Sequence, residues 1–216
     1  MKIAVLAATG STGSLVVDRL MARGHQVVAV SRSPAPPRSP ASRFSACTGD
    51  LTDVAFLRRA IEGCDAVISC LGQSRASKSL FAKRTSPPDI LYRVAAATIT
   101  AIGDGSQHLI YMSAFGVGDD LKRHALFFRI ILRLSSIHDA YLDHDRAERA
   151  IRASSAAWTI VRPPGLTDKD EEVPLADKSK RWSSFETATK KSVAAFLVGC
   201  AEKRGSMATT MTIGKP

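Results

Sequence analysis

Apolar residues in this chain come in short continuous runs that alternate with stretches of helical spacing. Lys2 to Ala7 is a run of strand length, and Gln26 to Val30 repeats it; Phe44 to Cys47 is a weaker third, Ala66 to Cys70 a fourth, Leu109 to Met112 a fifth and Trp158 to Val161 a sixth. Between them Leu15 to Arg23, Asp53 to Ile61 and Ile90 to Ile102 place apolar side chains on one helical face. Gly24 stops the first of these, and Thr52 or Asp53 caps the second. After the fifth strand come two helical segments, Leu121 to Leu134 and Ala140 to Ala153. Val193 to Glu202 is a further helix before a last short strand near Met211. Strands alternating with helices predict an α/β fold: a doubly wound parallel sheet, covered on both faces and linked by right-handed crossovers. The 216 residues suffice for one such domain with a small carboxy-terminal substrate lobe.

Two segments break the pattern. Ser31 to Ser42 holds four prolines, two arginines and four serines, so it is a loop, and it follows the second strand. Pro163 and Pro164 end the sixth strand, and the polar, charged stretch behind them reads as a lid or substrate segment over 164–185.

Composition narrows the class. With 45% apolar and 23% charged residues the chain is neither disordered nor a disulfide scaffold. Cys47, Cys64, Cys70 and Cys200 are far apart, with no zinc spacing, as expected of reduced cytoplasmic thiols and no metal site. The run after Lys2 is too short for a signal peptide, and no apolar stretch reaches the roughly 18 residues that span a bilayer. The net charge of +10 is uneven: no acid lies between Asp18 and Asp50 or between Asp65 and Asp89, where Arg19, Arg23, Arg32, Arg38, Arg43, Arg75, Lys78, Lys83 and Arg84 stand. Both segments come out on one edge of the expected sheet, which favours an anionic ligand there. Basic pairs elsewhere lack interleaved aromatics, so nucleic acid is not an expected partner. The expected partner is a small molecule, an anionic or conjugated acceptor, and the expected state is a monomer or homodimer.

The first turn reads Ala7, Ala8, Thr9, Gly10, Ser11, Thr12, Gly13. In a dinucleotide fold one glycine lets the backbone approach the pyrophosphate, and another lets the helix pack closely on the sheet; Gly10 and Gly13 fit these roles. The choice between NADH and NADPH falls at the end of the second strand, where Ser31, Arg32 and Ser33 stand with no acid nearby. Arg32 and Ser33 suit a 2′-phosphate, with Arg38 and Arg43 as possible helpers, so NADP(H) is the expected cofactor. Asp50, followed by Leu51, either accepts from the adenine amino group or caps the next helix.

Taken together, AATGSTG, GDLTD from Gly49, YMSAFG from Tyr111 and WTIVRPPGLTD from Trp158 resemble the atypical short-chain dehydrogenase/reductases. The resemblance is to their NAD(P)H-binding, NmrA-like group, which includes flavin reductase, also called biliverdin-IXβ reductase. It implies a Rossmann fold, NADPH and hydride transfer, and the group also includes NADP-sensing regulators without turnover. On this resemblance Ala7 to Gly13 hold the pyrophosphate, Arg32 the 2′-phosphate, and Asp50 and Leu51 the adenine. Leu71, Gly72 and Arg75 form the post-strand cofactor segment. Met112 and Ser113 reach the nicotinamide, as do Pro163, Pro164, Gly165 and Leu166. Gly165 stands where flavin reductase has a histidine.

Ser113 and His144 are the candidate catalytic residues: the serine to bind nicotinamide or an acceptor carbonyl, the histidine as a proton source of near-neutral pKa. Tyr141 is followed four residues later by Asp145 instead of the activating lysine usual in the superfamily, so it is read as a packing residue, and so is Tyr111. The expected activity is NADPH-dependent reduction of a flavin, quinone or conjugated carbonyl; the alternative is a redox sensor that binds NADP(H) without turnover.

Overall fold

The strands follow the apolar runs. They are β1 (Lys2–Leu6), β2 (Gln26–Ser31), β3 (Phe44–Thr48), β4 (Ala66–Ser69), β5 (His108–Met112), β6 (Ala157–Arg162), β7 (Gly165–Thr167), β8 (Ala176–Asp177), β9 (Thr187–Thr189) and β10 (Thr209–Gly214). The helices are α1 (Ser11–Ala22), α2 (Val54–Ala60), α3 (Ile90–Ile102), α4 (Leu126–Leu134), α5 (His138–Arg152) and α6 (Lys190–Glu202). This computed structural model describes all of residues 1–216 except 75, 78–81, 124–125, 178–185 and 204–207.

Eight strands form one sheet in the order β3-β2-β1-β4-β5-β6-β10-β8, parallel throughout except for β8, which runs antiparallel to β10. Because both faces are covered, the central strands read as unbroken apolar runs. Alternate residues serve opposite layers. Ile3, Val5, Ile68, Ile110 and Met112 pack with Val16, Leu20, Val193 and Leu197 of α1 and α6. Ala4, Leu6, Val67, Leu109 and Tyr111 pack with Leu57, Val94, Ala147 and Ile151 of α2, α3 and α5. This is the expected Rossmann-type α/β sandwich. Among the described residues no helix is long and apolar enough to cross a membrane.

Some elements differ from expectation. The helix expected over Leu121 to Leu134 is divided into a 3-10 helix, Gly118–Arg123, and α4. Part of the stretch read as a lid instead supplies strands. Gly165–Thr167 pairs in parallel with Thr187–Thr189, and Ala176–Asp177 pairs with the edge strand β10. Residues 178–185 of that stretch lie outside the described residues.

α3 draws its cap from another helix. Asp89 at its N-cap is left-handed (φ 58°) and makes no side-chain cap, while Asp143 on α5 accepts from the backbone N–H of Leu91 at 2.9 Å and of Tyr92 at 3.0 Å. Such a cap contributes about 1 kcal/mol.

The chain leaves β1 through Ala7 at φ 57°, where an L side chain is strained. That conformation costs alanine about 1–2 kcal/mol, and glycine would give back about 0.4–1 kcal/mol through the more flexible unfolded chain. Ala7→Gly should therefore stabilise the protein by about 1 kcal/mol, seen as a higher urea midpoint at unchanged m-value. A lower midpoint would contradict the strain argument.

Candidate functional site

Ala7 is the hinge of the first turn. Its carbonyl accepts from the Gly10 N–H at 2.9 Å, and the chain then enters α1 with no capping side chain and no acid in the first turn. The free amides and positive end of α1 therefore face outward, an arrangement suited to an anion. Gly13 is needed for packing: a Cβ there would lie 2.2 Å from the Ala7 carbonyl oxygen, so no other residue lets α1 start this close to the turn.

The turn opens into a cleft of about 370 Å³ above the carboxyl ends of the strands. Thr9, Gly10, Ser11 and Thr12 line its centre, while Arg32, Ser33, Asp50 and Leu51 line one side and Leu71, Gly72, Met112 and Leu166 the other. Twelve of the residues singled out from sequence thus share one cavity. Ala8 and Gly13 lie behind the turn, buried. Pro163 and Pro164 are buried away from the cleft, with the Pro163 carbonyl accepting from the Phe115 N–H at 2.8 Å, and the exposed Gly165 starts β7. Arg75 lies outside the described residues.

The Arg32 side of the cleft has a defined charge pattern. The Ser31 hydroxyl donates to the Ser33 carbonyl at 2.7 Å, forming the turn that presents Arg32. Arg32 forms no salt bridge among the described residues, and its charge reaches Asp50 across the cleft wall. Asp53, not Asp50, caps α2, accepting from the Ala55 and Phe56 N–H groups. Asp50 instead accepts from the Thr52 N–H and hydroxyl through Oδ1, which holds its carboxyl below the ordinary range, with smaller help from Arg93 and Arg32. Other cations of the two acid-free segments are committed elsewhere. Arg38 pairs with Asp18 at 2.5 Å and Arg84 with Asp139 at 3.3 Å, while Arg43 lies beside Gly24 at the opposite edge of the sheet.

The expected catalytic pair sits differently. Ser113 is 4% exposed, and its hydroxyl turns from the cleft to donate to Glu148 Oε1 on α5 at 2.6 Å. Glu148, fully buried, also accepts from Arg162 Nε at 2.9 Å and Nη2 at 2.5 Å and from Arg152 Nη2 at 2.8 Å. Arg162 reaches Asp120 at 3.1 Å, and Asp120 accepts from the Thr212 hydroxyl at 2.7 Å. Burial works against the Arg162 charge, but the hydrogen bonds and charge of Glu148, with Asp120, outweigh it and keep the guanidinium above its ordinary pKa. Sequence patterning marked none of this network; the i,i+4 spacing of Glu148 and Arg152 was its one local sign.

His144 corrects the expectation of a near-neutral proton source. It is 7% exposed and shares a 2.8 Å hydrogen bond through Nδ1 with the Tyr111 hydroxyl. Burial pushes its pKa down to about 4, only partly opposed by Glu148. Tyr111 is pushed well above the usual phenol range by burial and then by the charges of Glu148 and Asp143; Tyr141 is pushed up to about 12 by burial. Cys70 lines the cleft as a thiol, since burial raises it to about 12.

Residues 7–204 match the model of a family described as NAD(P)H-binding. The chain belongs to this NAD(P)H-binding family. Solved structures with the same fold include an anaerobillin reductase, ChuY, from Escherichia coli O157:H7 (18% identity, 100% of this chain and 98% of that one, TM-score 0.80). A Rossmann-fold NAD(P)-binding family protein from Shigella flexneri is 25% identical over 100% and 93% of the two chains, with a TM-score of 0.67. A short-chain dehydrogenase/reductase from Veillonella parvula DSM 2008 in complex with NADP is 14% identical over 100% and 94%, with a TM-score of 0.78. They share the fold that the resemblance to atypical short-chain dehydrogenase/reductases implies. The residues of the cleft fit a dinucleotide: an uncapped helix terminus for the pyrophosphate, an arginine in no salt bridge among the described residues on one side of it and an apolar wall of Leu71, Met112 and Leu166 on the other.

The depressed His144 pKa carries a sign. Below about pH 6.5 the unfolded chain takes up a proton that the folded chain refuses until about pH 4, so this histidine's contribution to stability is lost as pH falls through that window. In an NMR titration the His144 ring resonances should hold their neutral-form positions down to about pH 5. A midpoint near 6.5 would contradict the buried, neutral imidazole.

Proposed function

We propose that this protein is an NADPH-dependent reductase acting on a flavin, quinone or conjugated carbonyl. The observation that carries the reading is a single cleft that joins the uncapped α1 terminus to Arg32, a cation in no salt bridge among the described residues, and to the apolar wall beyond. Neighbours named for a reductase activity and for bound NADP point the same way. The four unpaired cysteines accord with a reducing compartment such as the cytoplasm.

In this reading the α1 amides bind the pyrophosphate, Arg32 and Ser33 the 2′-phosphate, and Asp50 the adenine amino group through its remaining oxygen. NADPH, when bound, supplies the hydride. The Ser113 hydroxyl donates its hydrogen bond to Glu148, so its oxygen keeps lone pairs, which suit the N–H of the nicotinamide carboxamide beside Met112. Proton delivery falls to water: Tyr141 holds its proton up to about pH 12 and His144 is a neutral imidazole above about pH 4. An acceptor that is already electron-poor needs no stronger acid. Leu166, at the start of the 164–185 segment, closes the apolar side as a lid residue.

The same lack of an acid–lysine pair favours the alternative, a sensor of NADP(H) redox state. Following NADPH absorbance against a panel of flavins, quinones and enones decides between them: turnover with any of these supports the reductase, and tight NADPH binding with none supports the sensor.

Replacing Arg32 by Ala should weaken NADPH binding by about 1.5–3 kcal/mol, the scale of a hydrogen bond to a charged group, with little change for NADH. Titration calorimetry with both cofactors checks this, and equal losses would remove Arg32 from the 2′-phosphate.

Ser113→Ala should lower turnover with NADPH affinity nearly unchanged, and Tyr141→Phe should do much less. Steady-state rates of both variants on one acceptor give the comparison; a large loss confined to Tyr141→Phe would return that tyrosine to the acid role.

A further inference from the structure

The cleft contains polar atoms that nothing among the described residues satisfies. Gln73 follows Gly72 just beyond β4, and both its Oε1 and its Nε2 are out of solvent without a hydrogen-bond partner. The Ser86 hydroxyl is in the same condition. Both residues line the cleft. They are also neighbours: the Thr85 N–H donates to the Ser74 carbonyl at 2.9 Å and the Ser86 N–H to the same oxygen at 3.3 Å, so Ser86 is held against the residue that follows Gln73. A buried amide or hydroxyl without a partner is destabilising, and native structures seldom keep such groups without a use. One donor, one acceptor and one hydroxyl, gathered on the wall of a ligand cleft, are a binding surface for a ligand that carries both donors and acceptors.

The strand order says which part of the ligand that is. Arg32 and Ser33 follow β2 and Asp50 follows β3, while the uncapped α1 follows β1; Gln73 follows β4, on the far side of β1 from Arg32 and next to β5 with Met112. A dinucleotide whose 2′-phosphate lies at Arg32 and whose pyrophosphate lies at α1 therefore places its second ribose, and the ring it carries, over β4 and β5.

We propose that the Gln73 amide and the Ser86 hydroxyl bind the nicotinamide riboside half of NADPH, taking up the ribose hydroxyls and so fixing where the nicotinamide lies along the Met112 wall. The inference rests on the cofactor reading above and assigns two residues to it. The amide meets one hydroxyl as donor and another as acceptor, and the serine supplies a third contact.

The test is a binding titration of the full chain with two probes, NADPH and adenosine 2′,5′-bisphosphate, which has the adenosine half alone. Gln73→Leu should weaken NADPH about tenfold or more, the scale of one to two lost hydrogen bonds, and leave the bisphosphate unchanged. Ser86→Ala should act in the same direction more weakly. Because leucine removes two orphaned polar atoms, the ligand-free Gln73→Leu protein should melt no lower than wild type, which separates the effect from misfolding. Equal losses for the two probes would move the contact to the adenosine half and overturn the assignment, as would unchanged NADPH affinity in a folded variant. A wild-type protein that binds neither probe would overturn the cofactor reading and this inference with it.

Discussion

The Glu148 carboxylate has no access to water, and the carboxyl edge of β5 and β6 is organised around keeping it paired. Transferring a carboxylate and a guanidinium into the interior costs several kcal/mol for each ion, and only close geometry with every remaining valence satisfied recovers it. Arg162 meets Glu148 through two nitrogens, Arg152 adds a third donor and Ser113 a fourth. Asp120 meets the same Arg162 guanidinium from its other side, so two carboxylates and two arginines close to neutrality. Apart from Glu148–Arg152, which lies within α5, each contact crosses between elements: Ser113 follows β5, Arg162 ends β6, Glu148 belongs to α5, Asp120 to the 3-10 helix and Thr212 to β10. Removing any one charge would strand its partner, and the ends of β5 and β6 would lose their common anchor.

Most of the sheet was legible in the sequence because burial on both faces writes a parallel strand as a solid apolar run, and Ile3 to Leu6 or Ala66 to Ser69 admit little else. The start of α1 was not, since Ser11, Thr12 and Gly13 carry no apolar period; they are helical because the turn delivers them so. β7 and β9 were hidden for a similar reason. Three-residue strands of exposed and mixed character owe their pairing to each other and to Ala188 and Thr189 tucked against the core, and they have no pattern of their own.

The candidate site divides along the same line. The Arg32 side of the cleft is local chemistry, an arginine and serines after a strand and a glycine turn before a helix, and the sequence pointed straight to it. The other side depends on long-range partners. Whether His144 faces water or Tyr111 is decided by how α5 lies on β5, and a histidine at that helical position gives no sign of it. Charge misled in the same way: the acid-free segments suggested a uniformly basic edge, yet Asp18 and Asp139, remote in sequence, neutralise Arg38 and Arg84 and leave Arg32 to its own side of the cleft.

The borrowed cap of α3 bears on how the chain folds. The first turn of α3 carries Ile90, and the next Val94, both on the wall of the cleft, yet its amides at Leu91 and Tyr92 find their acceptor only in Asp143, about fifty residues downstream. The amino-terminal half, with its glycine turn and Arg32, therefore cannot finish its own binding surface. α5 must dock first, so the appearance of the cleft should be a late, cooperative event that joins the two halves of the fold, and a nascent chain that has emerged only as far as β5 would have the phosphate turn without a settled wall opposite it.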